Sequence, residues 1–190
     1  MKMSTRKLVS LAVMAAISVV LVYFIRIPMF LPFLEYDPAD IPIFITAFAF
    51  GPVTGLLLTV VVSVIQGLTV SAQSGWIGIL MHIFATGCFV LAAGNIYRGK
   101  KTMGRALISL LCGIIAMTGA MVVWNIIFTP LFMGTPRSEV YGILLTAIVP
   151  FNLVKAGLNS LVTFLLYKQI SRFIKGRSEL ETSSSKGVSA

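Results

Sequence analysis

Long apolar runs separated by brief polar punctuation divide the chain. The first runs from Leu8 to Ile25, and three later ones cover Trp76 to Tyr97, Ala106 to about Thr129, and about Tyr141 to Tyr167. Backbone N–H and C=O groups in hydrocarbon must be satisfied within the segment, so runs of this length read as membrane-spanning helices. A transmembrane barrel needs polar residues at alternate positions, and no such alternation occurs. The stretch from Arg26 to Asp40 reads as a Pro-rich acidic loop, with Pro28, Pro32 and Pro38 beside Glu35, Asp37 and Asp40.

The segment Ile41–Val70 is harder to place. It holds no charged residue, and Gly51-Pro52 interrupts it. One straight helix of that length would reach about 45 Å, beyond the roughly 30 Å of hydrocarbon. A hairpin folded at Gly51-Pro52 would have a first arm of only about ten to twelve residues, short for a span.

Charge decides between the two. Eleven of the fifteen Lys and Arg residues fall in three clusters: Lys2, Arg6 and Lys7; Arg98, Lys100, Lys101 and Arg105; and Lys168, Arg172, Lys175 and Arg177. Short cytoplasmic loops concentrate such residues, which places all three clusters on one side. An even number of crossings must then separate each pair, so Ile41–Val70 contributes two. The expectation is an all-α, six-transmembrane-helix bundle over residues 1–177 with both termini cytoplasmic. The Ser-rich tail, residues 178–190, is expected to be disordered.

Composition agrees: 57% of the 190 residues are hydrophobic and 11% charged, too few charges to coat a soluble surface. The formal net charge of +9 would suggest a nucleic-acid partner in a soluble protein. Here the basic residues sit at the ends of apolar runs, without an aromatic strip or a reading helix, so no nucleic acid is expected and membrane lipid is. Cys88 and Cys112 lie within apolar runs without a metal-site partner at useful spacing, and read as packing residues. The first run has a basic start like a signal peptide but is long for one and lacks a small-residue cleavage site, so it reads as retained.

Polar residues inside the runs are the functional candidates. Asn152, Lys155 and Asn159 recur at spacings of three and four and share one helix face, either a buried network or the wall of a ligand pocket. Asn125 can donate and accept together, which suits a heterocyclic edge. Its neighbour Trp124 fits either that site or an interfacial aromatic belt. Trp76 and Tyr141 fit the belt, and Gln66 and His82 fit helix–helix hydrogen bonds. Ala12 and Ala16, one turn apart with Ala15 between, offer a flat surface for internal packing or for docking another membrane protein.

These features resemble the substrate-binding S components of energy-coupling-factor vitamin transporters, the riboflavin-specific ones above all. The resemblance rests on Leu11-Ala12-Val13-Met14-Ala15-Ala16, on the loop Phe33 to Pro42 with the following Phe50-Gly51-Pro52-Val53-Thr54-Gly55, and on Pro150 to Lys155 with Asn159. It implies a six-helix protein that takes riboflavin from outside as transported substrate and works with a transmembrane coupling protein and two ATPase subunits. Carried over, Asn125, Asn152, Lys155 and Asn159 surround the flavin, with Trp124 alongside. Glu35, Tyr36 and Asp40 belong to the loop closing above, and Ala12 and Ala16 meet the coupling protein. No cofactor, metal or catalytic residue is implied. Independently, no G-x-x-x-x-G-K-[ST] loop is present, so ATP hydrolysis by that route falls to other subunits.

Other classes fit less well. A lipid-modifying membrane enzyme needs more in-plane acids, histidines or a nucleophile with its base. Asp37 and Asp40 could hold a metal, but no second acidic cluster completes such a site. An autonomous secondary transporter would be expected to show an internal repeat, and none is evident. Another small heterocyclic vitamin, or a structural subunit without a ligand, completes the alternatives.

Overall fold

The structure is a computed structural model that describes residues 5–134, 136–166 and 169. The third basic cluster and the tail lie outside the described residues, as does Tyr167 at the expected end of the last run. In chain order the elements are α1 (Thr5–Phe24), β1 (Ile27–Met29), β2 (Leu31–Tyr36), α2 (Asp40–Phe50), α3 (Pro52–Leu68), α4 (Gly75–Gly99), α5 (Met103–Met133), α6 (Arg137–Ile143) and α7 (Val149–Leu165). A π-turn over Leu144–Ile148 joins α6 to α7.

Among the described residues, four helical segments are long and apolar enough to cross a membrane: Thr5–Phe24, Gly75–Gly99, Met103–Leu131 and Arg137–Leu165. The other two helices are shorter, 11 residues in α2 and 17 in α3. They separate at Gly51, whose φ of 95° lies in a region open to glycine, and Pro52 then starts α3. The two fold back on one another. Asp40 at the start of α2 and Ser63 late in α3 both reach His82 of α4. Below them Gly55 packs so tightly on Ala47 that an added Cβ would sit 2.7 Å from the alanine Cβ. The break expected at Gly51-Pro52 is therefore present, and its arms form a hairpin.

α4 is the central helix, packed on α3 and α5. The Phe89 ring of α4 stacks on Phe44 of α2 at 3.7 Å, and Tyr97 stacks on Phe48 at 4.2 Å. Thr102 caps α5 by accepting from the Arg105 N–H, while the Arg105 guanidinium donates to the Ile96 carbonyl near the end of α4.

On α7 the exposed and buried faces are inverted relative to a helix of a soluble protein. The buried set includes Asn152, Lys155, Asn159, Ser160 and Thr163, while Leu153, Leu158, Leu161 and Leu165 are exposed. A helix that hides amides and shows leucines is arranged for a hydrocarbon solvent. Pro150 accounts for the π-turn before it. It has no N–H and its ring crowds the preceding turn, so the Val149 N–H instead closes a wider loop onto the Leu144 carbonyl.

One element differs from expectation. The stretch read as an irregular loop after Arg26 contains the antiparallel hairpin β1–β2. In a two-stranded sheet both strands are edges, which is where Pro28 and Pro32 can be tolerated. The register slips between Pro28 and Met29, and Phe30 at the turn takes a positive φ of 63°.

Candidate functional site

The polar face of α7 meets the segment between β2 and α2. Lys155 Nζ donates to Asp37 Oδ2 at 2.7 Å. One turn further along, the Asn159 Nδ2 donates to the Asp37 carbonyl at 3.1 Å and lies 3.4 Å from Asp40 Oδ2. The Asn159 Oδ1 accepts from the Tyr36 hydroxyl at 3.2 Å. Asp37 Oδ1 accepts the Ala39 N–H at 3.1 Å, which fixes the turn into α2. Burial and the neighbouring Asp37 carboxylate raise the Tyr36 phenol above its ordinary value, so it remains a donor.

Asp40 extends the network into the bundle. Its Oδ1 accepts from Thr86 Oγ1 at 2.9 Å and lies 3.1 Å from His82 Nε2. A carboxylate only accepts, so the Nε2 proton points at Asp40. The other ring nitrogen, Nδ1, lies 2.6 Å from Ser63 Oγ. The Lys155 ammonium thus pairs with Asp37, and the second carboxylate, Asp40, is held by His82, Thr86 and Asn159. Buried charge needs this degree of pairing and hydrogen bonding.

Asn125 and Asn152 are buried but occupied within their own helices. The Asn125 Nδ2 donates to the Met121 carbonyl and its Oδ1 accepts from Thr129. The Asn152 Nδ2 donates to the Ile148 carbonyl at the end of the π-turn. Trp124 stacks on Phe128 at 4.0 Å and tilts against Phe84 at 4.9 Å. This aromatic cluster joins α4 to α5, and the buried Trp124 Nε1 has no hydrogen-bond partner.

Glu35 stands apart from the α7 network. It pairs with Arg26 across the β hairpin, and the same guanidinium donates to the Val70 carbonyl at 2.6 Å. That contact ties the hairpin to the end of α3. Ala12 and Ala16 are both exposed on α1, whereas Ala15, Ser18 and Val22 face the bundle. Trp76 and Tyr141 are exposed, as belt residues are. His82 makes the inter-helix hydrogen bonds its position suggests, while the buried Gln66 Nε2 makes none.

The structure therefore brings Tyr36, Asp40, Lys155 and Asn159 together, and adds Asp37, Thr86, His82 and Ser63. Asp37 stood out in sequence only as one of several loop acids. Thr86 carried no signal.

Residues 6–167 match the family described as ECF transporter, substrate-specific component. The chain is 27% identical to the riboflavin transporter RibU of Staphylococcus aureus (strain TCH60) over 177 residues, covering 90% of this chain and 93% of that protein. It is also 27% identical to the riboflavin transporter RibU of Streptococcus thermophilus over 181 residues, covering 90% of this chain and 85% of the other. The riboflavin transporter FmnP of Bacillus subtilis (strain 168) is 24% identical, covering 91% and 96% of the two chains. Among solved structures, the S component of a bacterial ECF transporter superposes with a TM-score of 0.75 at 28% identity, covering 90% of this chain and 98% of that one.

Proposed function

The chain belongs to the family of ECF transporter substrate-specific components, and from that premise we propose that it is the riboflavin-binding subunit of such a transporter. Members of this family are non-catalytic, multi-pass membrane subunits that bind a substrate for transport by their partner subunits.

The observation that carries the proposal is the closure of the β2–α2 segment onto the polar face of α7. Opening that segment separates Lys155 from Asp37 and Asn159 from Tyr36, and uncovers charged and amide groups inside the bundle. A vitamin entering from the outer side replaces those partners, and the segment then closes over it. A flavin needs an apolar slot for its rings and a few donors and acceptors for its carbonyls and ribityl hydroxyls. Trp124 with its unused N–H and Asn125 suit the ring system, and Asn152, Lys155 and Asn159 suit the polar edges and chain. That the relatives described above carry the name riboflavin transporter supports this substrate.

In this reading the chain crosses the membrane six times, the α2–α3 hairpin supplying two crossings, and both termini are cytoplasmic. The exposed Ala12 and Ala16 on α1 dock a transmembrane coupling protein, and two ATPase subunits supply the energy. Reconstitution in vesicles tests this division of labour. Riboflavin uptake should require ATP and the partner subunits. Uptake by this chain alone, driven by an ion gradient, would instead make it a secondary transporter.

A further inference from the structure

His82 and Thr86 lie one turn apart on α4 and share a helix face. Both reach the same oxygen of Asp40, Thr86 by donating to Oδ1 at 2.9 Å and His82 through Nε2 at 3.1 Å. Across the ring, Ser63 Oγ of α3 lies 2.6 Å from Nδ1. The imidazole is therefore gripped at both nitrogens, with its Nε2 proton turned to the carboxylate.

The two oxygens of Asp40 are used unequally. Oδ1 takes both contacts from α4. Among the described residues, Oδ2 has one hydrogen-bond contact, with Asn159 Nδ2 at 3.4 Å. That amide makes its shorter bond, 3.1 Å, to the Asp37 carbonyl, and the Lys155 ammonium is committed to Asp37 Oδ2. Asp40 Oδ2 thus faces α7 with acceptor capacity to spare. The backbone around it is anchored as well, because Asp40 to Phe44 at the start of α2 are all buried. Tyr36 and Asp37, by contrast, make their side-chain bonds to Asn159 and Lys155 of α7.

We propose that His82 and Thr86 are positioning residues for the substrate. They clamp Asp40 Oδ1 so that Oδ2 is held toward α7 to accept an N–H or O–H of the bound vitamin. This rests on the riboflavin-binding reading above. A flavin offers both kinds of donor, an imide N–H on the ring system and hydroxyls on the ribityl chain. A carboxylate only accepts, so the site favours a substrate that places a donor there over one that does not. When Tyr36 and Asp37 leave α7, Asp40 stays on α4, and the acceptor is in place before the vitamin arrives. His82 acts through Asp40, and Ser63 holds the ring in the orientation that this requires.

His82 is the only histidine in the sequence, so histidine-selective nitrogen NMR of the untagged chain in detergent reads its ring directly. The expected result is a proton on Nε2 whose resonance shifts in D40N. Riboflavin titration measures the consequence. H82L should weaken binding about tenfold and T86V about threefold. H82Q, whose amide nitrogen can donate from nearly the same place, should restore binding to within about threefold of the original. In a D40N background, H82L should add less than about twofold, because the group it acts through is already changed. Thermal unfolding checks that each variant is folded, and T86V, H82Q and the NMR decide the matter without H82L. An Nε2 without a proton, equal losses from H82L with and without the Asp40 carboxylate, or unchanged affinity in both H82L and T86V would overturn the proposal. If the folded chain binds no riboflavin, the riboflavin reading falls, and an Nε2 resonance indifferent to D40N would separately overturn the clamp.

Discussion

Lys155 and Asp37 lie 118 positions apart in sequence, yet their charged groups meet at 2.7 Å inside the bundle. The contact joins the polar face of the last helix to the segment that leads from the β hairpin into α2. Among the described residues it should be the most costly ion pair to break from one side, because removing one partner strands the other charge in a poorly solvated site. Lys155→Ala should lower unfolding stability by about 3–5 kcal/mol. Replacing both partners, as in D37N/K155M, should cost less than the sum of the two single changes. Strict additivity in that cycle, measured by denaturant or thermal unfolding in detergent, would show that the pair is uncoupled.

The Arg26–Glu35 pair provides the contrast. Its side chains are about a third exposed, 30% and 37%, so water screens the interaction. Glu35→Gln should therefore change stability by no more than about 1 kcal/mol. Riboflavin affinity should also be unaffected, since the Glu35 carboxylate is engaged by Arg26 rather than by the polar residues of α7. A large loss of affinity would place Glu35 in the ligand site.

Much of the architecture was legible in the chain. Apolar run length located the long helices, and the Gly51-Pro52 pair marked the break between α2 and α3, where glycine adopts the observed turn at low cost. The polar face of α7 could be read from the spacing of Asn152, Lys155 and Asn159. The identity of its partners could not, because pairing across more than a hundred residues leaves no local periodic signature. The β hairpin was obscured by Pro28 and Pro32, which argue against a strand except at an edge. The ambiguity of Ala12 and Ala16 needed the packing of α1, which shows Ala15 rather than these two facing the bundle.

The hairpin packing can be tested at Gly55. An added Cβ there would lie 2.7 Å from Ala47 Cβ and 2.8 Å from Val90 Cγ1. Gly55→Leu should destabilise the protein by about 1–3 kcal/mol, as overpacking does. Gly104→Leu, at a position with open space around it, should have little effect. Similar unfolding midpoints for the two variants would contradict the close approach of α2 and α3.

In the proposed docking role, the exposed Ala12 and Ala16 separate binding from transport. Ala12→Trp should abolish ATP-driven uptake and assembly with the coupling protein while leaving vitamin binding by the isolated chain within about twofold. Loss of binding in that variant would mean that this face packs internally.

The central claim is tested most directly by titrating the purified chain with riboflavin and following flavin fluorescence. The expected result is tight quenching that saturates at one flavin per protein and weakens at least about tenfold in Lys155→Met, as expected for a lost hydrogen bond from a charged group. An absence of quenching, with the protein shown to be folded, would contradict riboflavin as the substrate and leave only the family assignment standing.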